Sequence, residues 1–512
     1  MPLLEETGYM PKHKYSYGPE LRAHAERIAE RWNLRGRTIF RQQVTKMAWN
    51  SDQQVWAVQT QFVGDRRDLD LTLQIKYAIL GGGQMTHPKV PIVEGFDKFQ
   101  GHMFHTSRWD YGYTGGNSAE AKSDMPNLKD KTIGIIGTGA TAVQSLPELA
   151  KWAKQLYVIQ RTPSSIDERN QRETDPKEWE HMTANKGWWR ARNENFSTHL
   201  HQKRPAPAIN MVNDQWVVGN PSYCTAWGYD NNLAPEQVAS YVEKLHVEDI
   251  PRAERIRKRV DETVKDKETA RKLKHWYPSW CKRPCFHDDF LPAFNRPNVT
   301  LVDTDGHGID RFTDRGVVAN GKEYVLDLLI LSTGYRLSFA GLSPAARFSI
   351  SITGTDGRDM ADTFVKEIGT LHGLVSRGFP NLFFSGMPQA ALTANQIHNM
   401  DTYARHIVYM ITEAQRQSGV PDPVIEPTKE AQDDWGDQVA AAALGMSGMA
   451  GCTPNYLNME GELDKLLAMG PEVQAQLMRG QIWGRGINHY VEQLEKWRQE
   501  GSLKGLNVTA RR

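Results

Sequence analysis

Apolar and polar positions change period most sharply between Thr132 and Gln160. Thr132 to Ile136 is a short, unbroken apolar run, the pattern of a strand covered on both faces in a parallel sheet. Val143 to about Ala153 then follows the helical period, and Leu156 to Ile159 is a second apolar run. Elsewhere the pattern predicts a helix over 19–33 with Leu21, Ala25, Ile28 and Trp32 on one face. It predicts strands at Thr38–Val44, Gln54–Thr60 and Leu71–Leu80, the last running into the turn Gly81-Gly82-Gly83. Further strands are expected at Val299–Val302, Val317–Ala319, Leu326–Ser332 and 379–386, with helices from Ile397 to Gln415 and Asn488 to Gly501. From Pro163 to Trp276 the chain reads as helical and charged. Acids and bases alternate over 248–275, so that stretch predicts a solvated face and not a nucleic-acid stripe.

The turn between the first two elements is Gly137-Thr138-Gly139-Ala140-Thr141-Ala142. In a strand–turn–helix–strand unit the first glycine permits the turn and the second lets a pyrophosphate approach the backbone. A small third residue then allows close helix–strand packing. The helix N-terminus presents unpaired N–H groups and the positive end of its dipole. About 20 residues past the loop, where NAD-binding folds place an acid, this chain has Arg161-Thr162. A guanidinium there selects a 2′-phosphate. The unit therefore predicts an NADPH site formed by Gly137, Thr138, Gly139, Ala140, Thr141, Ala142, Val143, Gln144, Arg161 and Thr162; the plainer alternative is a glycine turn in an ordinary α/β protein.

Length and composition narrow the rest. The 512 residues suffice for two or three domains, and a net charge of +1 gives no electrostatic case for nucleic acid or an acidic membrane. Cys224, Cys281, Cys285 and Cys452 have no zinc or redox spacing, so Cys281 and Cys285 are expected to be reduced packing residues of an intracellular protein. No apolar run reaches a membrane span and no signal-peptide core is present, which predicts a soluble, cytoplasmic protein without a metal site.

Upstream of the glycine loop lies Phe99-x-Gly101-x-x-x-His105-x-x-x-Trp109-Asp110. On composition alone it is a linker anchored by a histidine and a tryptophan. The spacing resembles the fingerprint of Baeyer–Villiger monooxygenases, class B flavoproteins using FAD, NADPH and dioxygen. The resemblance continues in the opening residues 1–21, Gly137–Val143 with Arg161-Thr162, Lys282-Arg283-Pro284, Leu326–Gly334 and Gly378–Phe384. Thr453-Pro-Asn-Tyr456-Leu-Asn458-Met-Glu460-Gly461 is similar to the subgroup acting on large cyclic, steroid-like or terpenoid ketones.

The resemblance implies an α/β fold with two dinucleotide-binding, Rossmann-like domains, the first incomplete at its N-terminus, and a helical insertion. It divides the chain into a remnant FAD-binding domain (1–115 and 345–512), an NADP-binding domain (128–165 and 276–344) and the insertion (166–275). It implies oxygen insertion beside the carbonyl of a bulky cyclic ketone, giving an ester or lactone of secondary metabolism. It makes Arg283 the catalytic cation, Phe99, Gly101, His105, Trp109 and Asp110 hinge residues, and Val44 a further cofactor contact. Arginine suits the catalytic place because it stays charged at every working pH and stabilises developing negative charge.

The family pattern opens with a separate FAD strand–GxGxxG–helix unit, then a Trp-Tyr-Trp-Asn segment and a Cys-Asp pair, and none of these is in the sequence. Ser332 replaces an alanine of the family's A-T-G. Without that central strand, unpaired edges and exposed apolar faces are expected. Three origins are open: a truncated gene start, a partner chain supplying the unit, or a scaffold reused without flavin as a non-redox isomerase, cyclase or NADP-binding regulator. Heteroatom oxidation is the alternative within the family.

Overall fold

The computed structural model describes residues 1–83, 85–200, 207–218, 233–336, 343–386 and 388–511. Cys224 lies outside them. At the centre is a five-stranded, all-parallel sheet in the order Val299–Asp303, Gln155–Gln160, Thr132–Ile136, Leu328–Leu331, His102–His105. The apolar runs predicted these strands because both faces of the sheet are covered. Leu328 and Ile330 join Ile133, Ile135, Leu146 and Leu149 on one side, while Leu329 and Leu331 meet Val317, Val302 and Phe99 on the other. Residues 102–105, grouped with the remnant domain by sequence, form the edge strand of this sheet.

The second half is more open. Ser351–Thr353, Gln42–Asn50, Val55–Phe62 and Leu71–Ile75 form a four-stranded sheet, and Ala78–Leu80 crosses away to pair in parallel with Leu382–Phe384. The predicted strand Leu71–Leu80 is therefore two strands serving two sheets. Among the described residues Ala78–Leu80 pairs with no other strand, and Ile79 is 55% exposed. Phe40 (61%) and Ile92 (86%) are also exposed, both outside the strands. Helix Gly18–Arg31 corrects the expected apolar face. Leu21, Ala25 and Trp32 are exposed and Ile28 is only half-buried. The buried side chain is His24, whose ring Nε2 bonds the Pro2 carbonyl at 2.7 Å.

The insertion's main helix, Val238–Thr263, is not wholly a solvated face. It buries Tyr241, Leu245, Ala253, Ile256 and Val260. It also carries Arg252 and Arg255 onto the fully buried Asp167; Arg255 bonds both carboxylate oxygens at 2.7 and 2.6 Å. Asp167 lies in a two-residue strand, Ile166–Asp167, that pairs with Cys285–Phe286 directly after Arg283 and Pro284. The expectation that Cys281 is a reduced packing residue is overturned. It is bonded to Cys452, 171 residues away, and only Cys285 of the former pair is a free, buried thiol. Neighbouring spacing did not reveal the bond because its two ends meet only through the tertiary fold.

Candidate functional site

Thr132–Ile136 delivers the chain to Gly137 at the carboxyl edge of the sheet, the edge where open α/β sheets receive ligands. Gly137 has φ +106°, and a Cβ there would lie 2.5 Å from the Ser332 carbonyl of the neighbouring strand's exit, so only glycine fits. At Gly139 a Cβ would meet nothing within 4 Å, which leaves the open space a pyrophosphate needs. Helix Ala140–Trp152 begins there, three residues earlier than its apolar period showed. Gly139, Ala140, Thr141 and Gln144 are exposed on its first turn. Ala142 and Val143 are buried in the core beneath and act as packing, not as ligands. Thr138 is likewise buried, its hydroxyl donating to the Thr162 carbonyl at 3.0 Å. Val44 lies on the four-stranded sheet, half-buried against that sheet's own core.

Arg161 follows the second strand and is exposed beside the loop. Lys282, quoted above only as part of a motif, is half-buried. Its ammonium lies 4.8 Å over the Tyr277 ring. Burial first, then the nearby Arg161, pushes it down to about 8, while Glu460 partly opposes this. A second positive charge that acts on this one favours an anion here, which fits the 2′-phosphate reading of Arg161. Glu460 was also unassigned by sequence. It bonds Lys89 at 3.0 Å and Arg161 at 3.3 Å. No local signal in the chain joins residues 89, 161, 282 and 460; the fold does.

Arg283 is exposed, with its guanidinium 5.5 Å from the Trp216 ring centre. Among the described residues it forms no ion pair, so it is not an arginine consumed by a structural salt bridge. Its backbone is held by Cys285 N donating to Ser165 O at 3.1 Å and His287 N to Asp167 O at 2.9 Å.

The fingerprint residues form a hydrogen-bonded cluster at the edge strand. His105 Nδ1 accepts from Ser107 N–H at 3.1 Å, so a neutral ring carries its proton on Nε2 and donates to the Gly334 carbonyl at 3.0 Å. Burial lowers its pKa, keeping that neutral form. Asp110 caps the turn at Tyr113 and bonds His102 at 2.9 Å, while Trp109 donates to Thr114 at 3.1 Å. Gly101 is required because a Cβ would strike the buried Phe99 ring at 2.3 Å. A solvent-open hollow of about 630 Å³ lined by Glu94, Lys98, Arg311 and Asp314 lies by the start of these strands, at the opposite edge from the glycine loop.

FAD would need a pyrophosphate cradle of its own. Among the described residues the strand–glycine–helix unit occurs once, at Thr132–Trp152. The other half offers Thr393 Oγ1 and His398 Nε2, buried polar atoms without a protein partner at the start of helix Gln396–Ser418. The residues fit NADP at the loop; for FAD they supply polar contacts but not the pyrophosphate cradle. Among the described residues no His, Cys, Asp and Glu cluster suits a metal, and no helix is long and apolar enough to cross a membrane.

No family model matches the chain. Among curated proteins it is 43% identical to a chermesin D/asnovolin J monooxidase of Aspergillus novofumigatus, over 99% of this chain and 77% of that one. It is 42% identical to a polycyclic ketone monooxygenase of Thermothelomyces thermophilus, over 100% of this chain and 79% of that protein. A solved structure of the polycyclic ketone monooxygenase from Thermothelomyces thermophila superposes with a TM-score of 0.95 at 41% identity, covering 100% of this chain and 80% of that one. A steroid monooxygenase bound to NADP shares the fold at a TM-score of 0.73 and 21% identity, over 99% of this chain and 87% of that one. The fold is that of the flavoprotein monooxygenases, a mixed α/β architecture with Rossmann-like domains. The chain belongs to the FAD-binding, Baeyer–Villiger-type monooxygenases.

Proposed function

We propose that the protein inserts one oxygen atom beside the carbonyl carbon of a bulky polycyclic ketone, using NADPH, FAD and dioxygen. Ketone, dioxygen, NADPH and a proton give ester or lactone, NADP⁺ and water. FAD, when bound, would supply the redox chemistry that activates oxygen. The protein's residues bind and orient. The glycine loop holds the pyrophosphate, Arg161 and Lys282 hold the 2′-phosphate, and the neutral His105 ties the edge strand to the Gly334 carbonyl. Arg283 stabilises the negative charge that develops on the ketone oxygen when a nucleophilic oxygen adds to the carbonyl carbon. The observation that carries this reading is the relation of the chain, at 41% identity and a TM-score of 0.95, to a polycyclic ketone monooxygenase, with Arg283 exposed and in no ion pair among the described residues. Cytoplasmic placement belongs to this proposal; the Cys281–Cys452 bond weighs against it, since disulfides are rare in reducing compartments.

The test is turnover with FAD, NADPH and a panel of polycyclic ketones under isotopically heavy dioxygen. The expected product carries one heavy oxygen in the ester linkage. NADPH binding without ketone-dependent oxidation at any flavin loading favours a reused, non-redox scaffold. Lys282 adds a pH signature. Its ammonium must be protonated to bind the phosphate, so affinity is full below about pH 8 and falls as pH rises through that value. NADPH titrations followed by fluorescence should show a loss of about tenfold above the inflection, the scale of one charge-assisted bond. Lys282→Met should abolish the inflection.

A further inference from the structure

The segment that follows Cys452 forms a short strap against Arg161 and Lys89. Its knot is Asn458, 1% exposed, whose amide donates to Cys452 O at 2.7 Å and whose oxygen accepts from Asn455 N and Gly461 N at 2.9 and 3.1 Å. The rim of the strap faces Arg161. Its Nη2 donates to the Pro454 carbonyl at 3.2 Å and to Glu460 Oε2 at 3.3 Å, and Glu460 Oε1 reaches Lys89 at 3.0 Å. Placing the carboxylate there requires left-handed backbone at two consecutive non-glycine residues, Met459 (φ 57°) and Glu460 (φ 59°). Such conformations persist only where surrounding contacts over-determine them. Burial pushes the Glu460 carboxyl up, but Lys89 and Arg161 outweigh it and hold it below the usual range.

Resting on the assignment of Arg161 to the 2′-phosphate, we propose that Glu460 is an internal stand-in for that phosphate and sets the enzyme's coenzyme selectivity. The Glu460 carboxylate bridges Arg161 and Lys89, and its single negative charge offsets one of the three cations Arg161, Lys282 and Lys89. An arriving phosphate dianion must take Arg161 from it and draw the strained rim of the strap aside. A nucleotide with a free 2′-hydroxyl meets a carboxylate able to accept its hydrogen bond, and has no such displacement to perform. Glu460 therefore restrains the preference for NADPH that the cations would otherwise give. The Cys281–Cys452 bond and the Asn458 knot keep the strap's base fixed while its rim moves.

The test uses adenosine 2′,5′-bisphosphate and 5′-AMP as probes in calorimetric titrations of the whole chain. Glu460→Gln keeps the side chain's shape and removes its charge, and is expected to bind the bisphosphate about tenfold more tightly with 5′-AMP unchanged, as relief of one like-charge contact implies. The gain should shrink at high salt. Lys89→Met leaves Glu460 leaning on Arg161 alone and should weaken bisphosphate binding, an effect that Glu460→Gln in the same chain reverses. Unchanged or weaker bisphosphate binding in Glu460→Gln overturns the proposal, provided the parent prefers bisphosphate over 5′-AMP and Arg161→Ala loses that preference. If the parent shows no preference, the assignment of Arg161 itself fails.

Discussion

Arg283→Ala abolishes ketone oxidation, by at least about a hundredfold, while leaving NADPH binding intact. The expectation follows from where the side chain sits. It is exposed, pairs with no acid among the described residues and touches the rest of the protein through the Trp216 ring. Removing an exposed side chain of this kind changes stability by about half a kcal/mol or less, so lost activity reports chemistry, not unfolding. Pro284 and the Cys285–Phe286 pairing hold the backbone whichever residue occupies position 283. Arg283→Lys keeps a charge but loses the planar fork and should recover only part of the rate. The measurement is product formation beside nucleotide affinity. Oxidation at the parent rate in Arg283→Ala would remove this arginine from the chemistry.

Asp167→Asn has the largest expected effect on stability. The carboxylate is fully buried and faces Arg252, whose side chain is 2% exposed, and Arg255, whose side chain is 41% exposed. Arg255 can turn to water when the acid is lost, but Arg252 cannot. The two bonds from Arg255 to the buried carboxylate are lost with the charge, and breaking a buried pair by removing one partner costs about 3–5 kcal/mol. A urea melt should show a midpoint lowered by that amount divided by the slope, with the slope itself unchanged. Asp167 also anchors the strand that pairs beside Arg283, so the variant should lose turnover even where it remains folded. A midpoint within error of the parent would show that the insertion is held by its apolar stripe alone.

The nucleotide unit was legible because everything that specifies it is local. Thr132–Ile136 was read to the residue, since a doubly covered parallel strand is apolar throughout and a glycine turn ends it. The helix start was misplaced because Ala140 and Thr141 face the open cradle and leave no apolar mark. Where a neighbour far along the chain decides the structure, the pattern failed. Leu71–Leu80 read as one strand because switching from one sheet to another leaves the hydrophobic run unbroken. The face of Leu21 and Trp32 has the period of a buried helix, yet nothing among the described residues covers it. The candidate site divides in the same way. Arg161 stands at a fixed distance after the loop, whereas Glu460 reaches it only because the chain returns 299 residues later.

The bond between Cys281 and Cys452 makes one mechanical part of two segments 171 residues apart. One segment continues into Lys282 and Arg283, the other into the strap that carries Glu460. The strap's rim, which can move, and the segment of Lys282 and Arg283 therefore hang from one anchored point, so a change that loosens this bond should be felt at both.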